Sequence, residues 1–118
     1  MSVTKEEIEA KLAELGDTPL SVYRGLRHEG IKGKRGQNES CPIANYLQRE
    51  FDLPLVRVQY VRGCAETIKA PEFSYSIDRQ EEQWAEWRKH LVSFTLTDAV
   101  QEFIKKFDGG GYPSLLSE

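Results

Sequence analysis

The spacing of the apolar residues changes at Pro54, and this change constrains the fold more than any other feature of the sequence. Before Pro54, apolar side chains recur every three or four residues, as at Ile8, Leu12 and Leu15, which is typical of one face of a helix. After it, residues 55–61 alternate and are rich in valine, which is typical of a strand. Because helices come first and strands follow, the pattern predicts an α+β fold.

Helix start signals are found at three places before Pro54. Thr4 is followed three residues later by Glu7, as in a capping box, and Thr18 stands directly before Pro19. Ser40 is predicted to be the N-cap of a third helix, with a proline in its first turn. The predicted helices therefore span residues 4–15, 18–29 and 40–51.

Shorter segments follow the first strand. Gly63, Cys64 and Ala65 predict a turn, and residues 67–69 and 73–77 have the composition of short strands. Two interpretations stay open for the next stretch: a helix that begins at Asp78, or an irregular excursion from the sheet.

The closing segments are a strand and a helix. Residues 91–96 alternate like a strand, and Thr97 or Asp98 then starts a helix that ends at Asp108. We expect this helix to pack on the strand of residues 55–61 through Phe103, Ile104 and Phe107. With 118 residues the chain has the length of one domain, roughly 100–150 residues, so residues 1–118 are predicted to form a small antiparallel sheet with helices packed on it.

The overall charge and the cysteine count exclude several classes of protein. Sixteen Lys and Arg residues against nineteen Asp and Glu residues give a net charge of −3, which argues against a protein that coats DNA. No apolar run approaches the roughly 18 residues of a membrane span, and residues 1–7 lack the apolar core of a signal peptide. Two cysteines are too few for a disulfide scaffold, so a cytoplasmic location is expected.

Three sequence motifs occur in a characteristic order: Gly-Ile-Lys-Gly from Gly30, Cys-Pro-Ile-Ala-Asn-Tyr-Leu from Cys41, and Phe-Ile-Lys-Lys-Phe-Asp from Phe103, followed by glycines and Tyr112-Pro113. In these motifs the chain resembles a group of short actinobacterial and actinophage proteins. The resemblance covers about half of the chain, and residues 66–90 form a longer segment than is expected for the group. No activity is established for that group. The resemblance therefore points to related proteins but does not indicate a function.

Basic residues are concentrated just before the third predicted helix. Residues 24–35 contain one acidic residue, Glu29, and five basic residues: Arg24, Arg27, Lys32, Lys34 and Arg35. With three glycines and one apolar residue, residues 30–40 are expected to form a loop that opens readily. Since the loop leads to a helix N-terminus at Ser40, it predicts a site for an anion such as phosphate; a merely solvated loop is the alternative.

Cys41 is the one candidate for a nucleophile. A helix N-terminus and nearby cations favour the thiolate, and His28 or His90 would have to serve as the base. The alternative is a buried cysteine without a chemical role, since free cysteine is among the most buried residue types. The sequence indicates no metal site and no cofactor.

Trp84 and Trp87 form an aromatic and basic cluster with Arg88, Lys89 and His90. Such rings can stack on bases of single-stranded nucleic acid, or they can belong to the core or to a protein interface.

We therefore expect a small non-enzymatic cytoplasmic module that binds another macromolecule, with a protein as the favoured partner and a phage-related or regulatory setting. The first alternative is an anion or nucleic-acid binder that uses the basic residues of 24–35 together with Ser40. The second is a thiol enzyme that depends on Cys41. The sequence indicates no membrane partner and leaves the oligomeric state open.

Overall fold

The computed structural model describes residues 3–59, 61–67 and 85–116. Its helices are α1 (Lys5–Ala13), α2 (Pro19–His28), α3 (Pro42–Phe51) and α4 (Asp98–Asp108), and a short 3₁₀ helix spans Pro113–Leu115. Residues 85–89 are also helical. Its strands are β1 (Leu55–Val58), β2 (Arg62–Glu66) and β3 (Leu91–Thr95), and the prediction of an α+β fold is confirmed.

Local capping explains where three of the helices begin. The hydroxyl oxygen of Thr4 accepts a hydrogen bond from the Glu7 amide, and that of Thr18 accepts one from the Ser21 amide. Thr97 caps α4 in the same way. These bonds satisfy amide groups that have no partner within the helix, so the predicted starts of α1, α2 and α4 are confirmed.

The three strands form an antiparallel sheet in the order β1-β2-β3. The predicted turn at residues 63–65 is therefore wrong, because these residues form the middle of β2. Gly63 occupies this strand because the Phe94 ring of β3 lies against it: a Cβ atom there would be 2.4 Å from Cζ of that ring. A glycine in a strand often marks such a close approach.

The two faces of the sheet differ in their surroundings. Successive strand residues point to opposite faces, and on the inner face Val56, Val58, Ala65 and Phe94 are buried. α3 packs against β1 and α1 packs against β3. The outer face carries exposed polar side chains: Arg57, Gln59, Arg62, Ser93 and Thr95.

One hydrophobic cluster joins the helices to the sheet. Phe103, Ile104 and Phe107 are buried in it, as predicted. α4 packs against α2, and its predicted packing on the strand of residues 55–61 is not among the main contacts between the described elements. Phe103 stacks on Phe107 and on Tyr112, with ring centroids 6.0 and 5.2 Å apart.

Of the predicted strand at residues 67–69, only Thr67 is described, and it lies beyond the end of β2. The predicted strand at residues 73–77 and the first part of the helix predicted from Asp78, including Trp84, lie outside the described residues. The helical conformation of residues 85–89 agrees with the helix interpretation for that part.

Candidate functional site

The loop of residues 30–40 is tied to distant parts of the chain. The Gly33 amide donates to the Leu115 carbonyl at 2.9 Å, and within the loop the Lys34 amide donates to the Ser40 carbonyl at 2.8 Å. The side-chain amide of Asn45 donates to the Lys32 carbonyl at 2.7 Å. Because several of its backbone groups are bonded to the rest of the fold, these bonds oppose opening of the loop, and the expectation that it opens readily stays a prediction.

Arg35 is directed inward, at the C-terminal end of α4. Its Nε donates to the Phe107 carbonyl at 2.8 Å and its Nη2 to the Gly111 carbonyl at 3.1 Å. The guanidinium carbon lies 5.3 Å from the centroid of the Phe107 ring. The Phe107 carbonyl, in the last turn of α4, also accepts from the Gly110 amide, and Gly111 follows the helix, so this arginine ties the negative end of α4 to the segment after it. Arg35 is therefore engaged within the fold, and its assignment to an anion site stays a prediction.

Replacement of Arg35 by methionine should lower the free energy of unfolding by about 1–3 kcal/mol, because two carbonyls lose a charged donor. Lys34→Met is the matched control, since the Lys34 side chain is exposed, and it should change stability by less than about 0.5 kcal/mol. Urea unfolding of both variants measures the difference. Equal stabilities would show that the arginine does not fasten the helix.

The other four cations of residues 24–35 remain exposed: Arg24, Arg27, Lys32 and Lys34. Arg27 donates to the hydroxyl oxygen of Tyr23 at 3.3 Å, and that hydroxyl also lies 2.8 Å from the Ser114 hydroxyl. The basic segment therefore keeps a cationic surface, although it contributes one cation fewer than the sequence implied.

The N-terminus of α3 is not open to an anion. Cys41 rather than Ser40 is its N-cap, and the sulfur accepts a hydrogen bond from the Ala44 amide at 3.4 Å. The four residues from Cys41 to Ala44 are buried. Ser40 instead uses its carbonyl to hold Lys34 and Asn45. The predicted cap at Ser40 is wrong, because the chain enters the helix one residue later.

Burial also determines the chemistry of the Cys41 thiol. It raises the pKa of this thiol, and the hydrogen bonds from the first turn of α3 oppose that shift only in part. Burial therefore disfavours the thiolate, which is the form that a nucleophile needs. Of the two candidate bases, His28 is exposed on α2, and His90 lies beside Glu86 with Nε2 3.4 Å from a carboxylate oxygen.

The two cysteines are expected to differ in their rates of reaction with a thiol reagent. Cys64 is half-buried on the outer face of the sheet, and we expect it to react with N-ethylmaleimide roughly tenfold faster than Cys41, which requires local opening. Mass spectrometry of the native protein after timed labelling near neutral pH measures both rates. A Cys41 that reacts as fast as Cys64 would favour the thiol-enzyme hypothesis.

The aromatic and basic cluster is described only in part, since Trp84 lies outside the described residues. Trp87 is half-buried. Lys89 and His90 both lie 3.4 Å from the carboxylate of Glu86, and their hydrogen bonds, that of His90 first, lower the pKa of Glu86. Two of the basic groups in this cluster are therefore paired with a carboxylate.

A cleft of about 210 Å³ lies on the outer face of the sheet. Its lining residues come from the three strands and from the residue that follows β1, Gln59. They are Arg57, Gln59, Arg62, Gly63, Cys64 and Ser93. Arg57, Cys64 and Ser93 lie opposite one another in the strand register. Nε of Arg57 donates to a carboxylate oxygen of Glu39 at 2.9 Å. The cleft thus places two guanidinium groups beside neutral polar side chains.

Sequence reasoning missed this cleft. The alternation of residues 55–61 already placed Arg57 and Gln59 on the same face of a strand. Because the sequence predicts a turn at residues 63–65, it does not indicate that Arg62 and Cys64 are their neighbours on the next strand.

No known family model matches the chain, and neither a curated protein nor a solved structure shows significant similarity to it. Within residues 3–59, 61–67 and 85–116, no group of three or more His, Cys, Asp or Glu side chains is placed to hold a metal ion. In the same part of the chain, none of the helices has both the length and the apolar composition required to cross a membrane.

Proposed function

We propose that the protein is a small non-enzymatic module that binds another macromolecule, a protein in preference to a nucleic acid, through the outer face of its sheet. The observation that carries this proposal is the cleft lined by Arg57 and Arg62. One face of the sheet belongs to the hydrophobic core, while the other presents exposed polar side chains around a concave surface near the β1–β2 turn; at its opposite end Glu66 is buried. The exposed side chains at this cleft are accessible to a partner.

The state of Cys41 supports binding rather than catalysis. The one candidate nucleophile is buried and its pKa is raised, so the thiolate form is disfavoured. Both cysteines are free, which suits the reducing cytoplasm that we propose as the location. A phage-related or regulatory setting, implied by the resemblance in the three motifs, belongs to the same proposal.

The contacts of the basic segment favour a protein over a nucleic acid. Arg35 is bonded to α4 and the N-terminus of α3 is buried, so two parts of the expected phosphate site are used within the fold. Arginine, which lines the cleft twice, is enriched at protein interfaces. The exposed cations Arg24, Lys32 and Lys34 keep a nucleic-acid partner as the second candidate.

A comparison of charge-reversed variants in two assays tests the proposal. In photo-crosslinking of host-cell extract, the variant Arg57→Glu/Arg62→Glu should lose a specific protein adduct that the wild type forms. The control Lys105→Glu/Lys106→Glu, altered on the exposed side of α4, should retain it. Adducts of equal yield in both variants would contradict the proposal.

The second assay is fluorescence anisotropy with a short labelled RNA and DNA at two salt concentrations. Binding that falls steeply with salt and disappears in Arg24→Glu/Lys32→Glu/Lys34→Glu would favour a nucleic-acid partner, since bound phosphates release counterions. This variant leaves Arg35 in place, because that side chain holds α4.

A further inference from the structure

We propose that the cleft on the outer face binds an acidic, extended peptide segment of the partner, with Arg57 and Arg62 each taking a carboxylate from residues two positions apart. Glu39 is the internal carboxylate that occupies Arg57 until the peptide displaces it. This inference rests on the proposed function, since it names the chemistry of the partner at the same surface.

The register of β1 and β2 sets the spacing of the two arginines. Arg57 lies opposite Cys64, so its diagonal neighbours on the same face are Arg62, which is exposed, and Glu66, which is buried. Diagonal pairs of this kind are about 7–8 Å apart. In an extended peptide, residues two positions apart share a face and are separated by about 7 Å. The two distances match, whereas adjacent acidic residues would point to opposite sides of the peptide.

Arg57 already binds one carboxylate, that of Glu39. The two side chains are about half exposed, at 54% and 51%, and exposed ion pairs contribute little free energy. An incoming carboxylate can therefore replace that of Glu39 at small cost. The Val58 amide donates to the Asn38 carbonyl at 2.9 Å, which holds the loop with Glu39 beside β1.

Arg62 provides the second charge. It is exposed on β2, and among the residues that the structure describes no carboxylate lies within ion-pair distance of it. Gln59 and Ser93 add donors and acceptors along the cleft for a peptide backbone. The volume of about 210 Å³ lies below the range of roughly 300–1,000 Å³ typical of small-molecule sites, which favours a few peptide side chains over a cofactor.

Three peptides test the spacing: acetyl-Thr-Glu-Thr-Glu-Thr-amide, its isomer acetyl-Thr-Glu-Glu-Thr-Thr-amide, and acetyl-Thr-Gln-Thr-Gln-Thr-amide. The first two have the same composition and charge, so only the spacing of the glutamates differs. Titration followed by amide chemical shifts of the ¹⁵N-labelled protein should give the first peptide the lowest Kd, by roughly fivefold over its isomer, and shifts around Arg57 and Arg62.

Variants identify the groups that hold the peptide. Arg57→Gln and Arg62→Gln should each raise the Kd of the first peptide roughly fivefold and remove the preference over its isomer. Glu39→Gln should lower the Kd, because the internal competitor is gone. Lys105→Gln, an exposed cation on α4, is the control and should leave the Kd unchanged.

Equal affinities for the two acidic peptides would overturn the inference. So would a Kd of the first peptide that neither Arg57→Gln nor Arg62→Gln changes. If these peptides do not bind but the crosslinked protein adduct still depends on both arginines, the binding module stands and its partner is not acidic at this surface. If a short RNA binds with the same dependence on both arginines while the peptides do not, the ligand of this surface is a nucleic acid and the inference falls.

Discussion

Replacement of Phe103 by alanine is expected to lower the free energy of unfolding by about 3–5 kcal/mol, a large part of the roughly 5–15 kcal/mol typical of a domain. Phe103 is fully buried, and its ring stacks on Phe107 and Tyr112. Truncation removes the contacts that join α4 to the segment after it and leaves a cavity in the core. Urea and thermal unfolding measure the loss, which should lower the Tm by roughly 10 °C or more.

Leu20→Ala is the control for Phe103→Ala, because Leu20 is 47% exposed on α2 and its loss should cost less than about 1 kcal/mol. A Tm of the Phe103 variant within a degree or two of the wild type would mean that α4 does not dock through this ring. Phe103→Leu, which keeps most of the apolar volume, should recover more than half of the stability.

Replacement of Gly33 by alanine should cost about 3 kcal/mol, at the upper end of what overpacking costs. A Cβ atom at Gly33 would lie 2.3 Å from the Pro42 nitrogen and 2.5 Å from the Cys41 carbonyl carbon. Both are backbone atoms, so the loop itself must move. Such a movement also breaks the hydrogen bond from the Gly33 amide to the Leu115 carbonyl. Chemical unfolding gives the size of the effect.

Gly30→Ala in the same loop is the matched control. Gly30 has a φ of 70° but nothing lies within 4 Å of its Cβ position, so alanine there should cost only the roughly 1–2 kcal/mol of a left-handed backbone. If both variants are equally stable, the close approach of Gly33 to α3 does not contribute to the free energy of unfolding.

Local signals in the sequence predicted those parts of the fold that depend on neighbours within a few residues. The starts of α1 and α2 follow from Thr4 and Thr18, whose hydroxyls bond amides three residues ahead. α4 follows from Thr97 and from apolar residues at helical spacing. Such interactions are contained in a short window of sequence, and so they can be inferred without knowledge of the fold.

The remaining features depend on residues that are far apart in the sequence. Gly63 resembles a turn residue until the Phe94 ring is placed against it, and Arg35 resembles a solvated cation until the carbonyls of Phe107 and Gly111 are seen beside it. The cleft is formed by three neighbouring strands. The sequence of the middle strand, β2, favours a turn when it is considered alone. Short-range patterns contain no information about which distant segment supplies such a partner.

The bonds between residues 33–36 and residues 107–115 also bear on the order in which the chain can fold. Gly33, Arg35 and Gly36 all find partners more than seventy residues later, in Leu115, Phe107 and Asp108. During synthesis from the N-terminus, α1 and α2 can form early, but the segment between α2 and α3 has to wait for the last turn of α4 and the 3₁₀ helix. The nascent chain therefore keeps this region unfinished until residues 107–115 have been made.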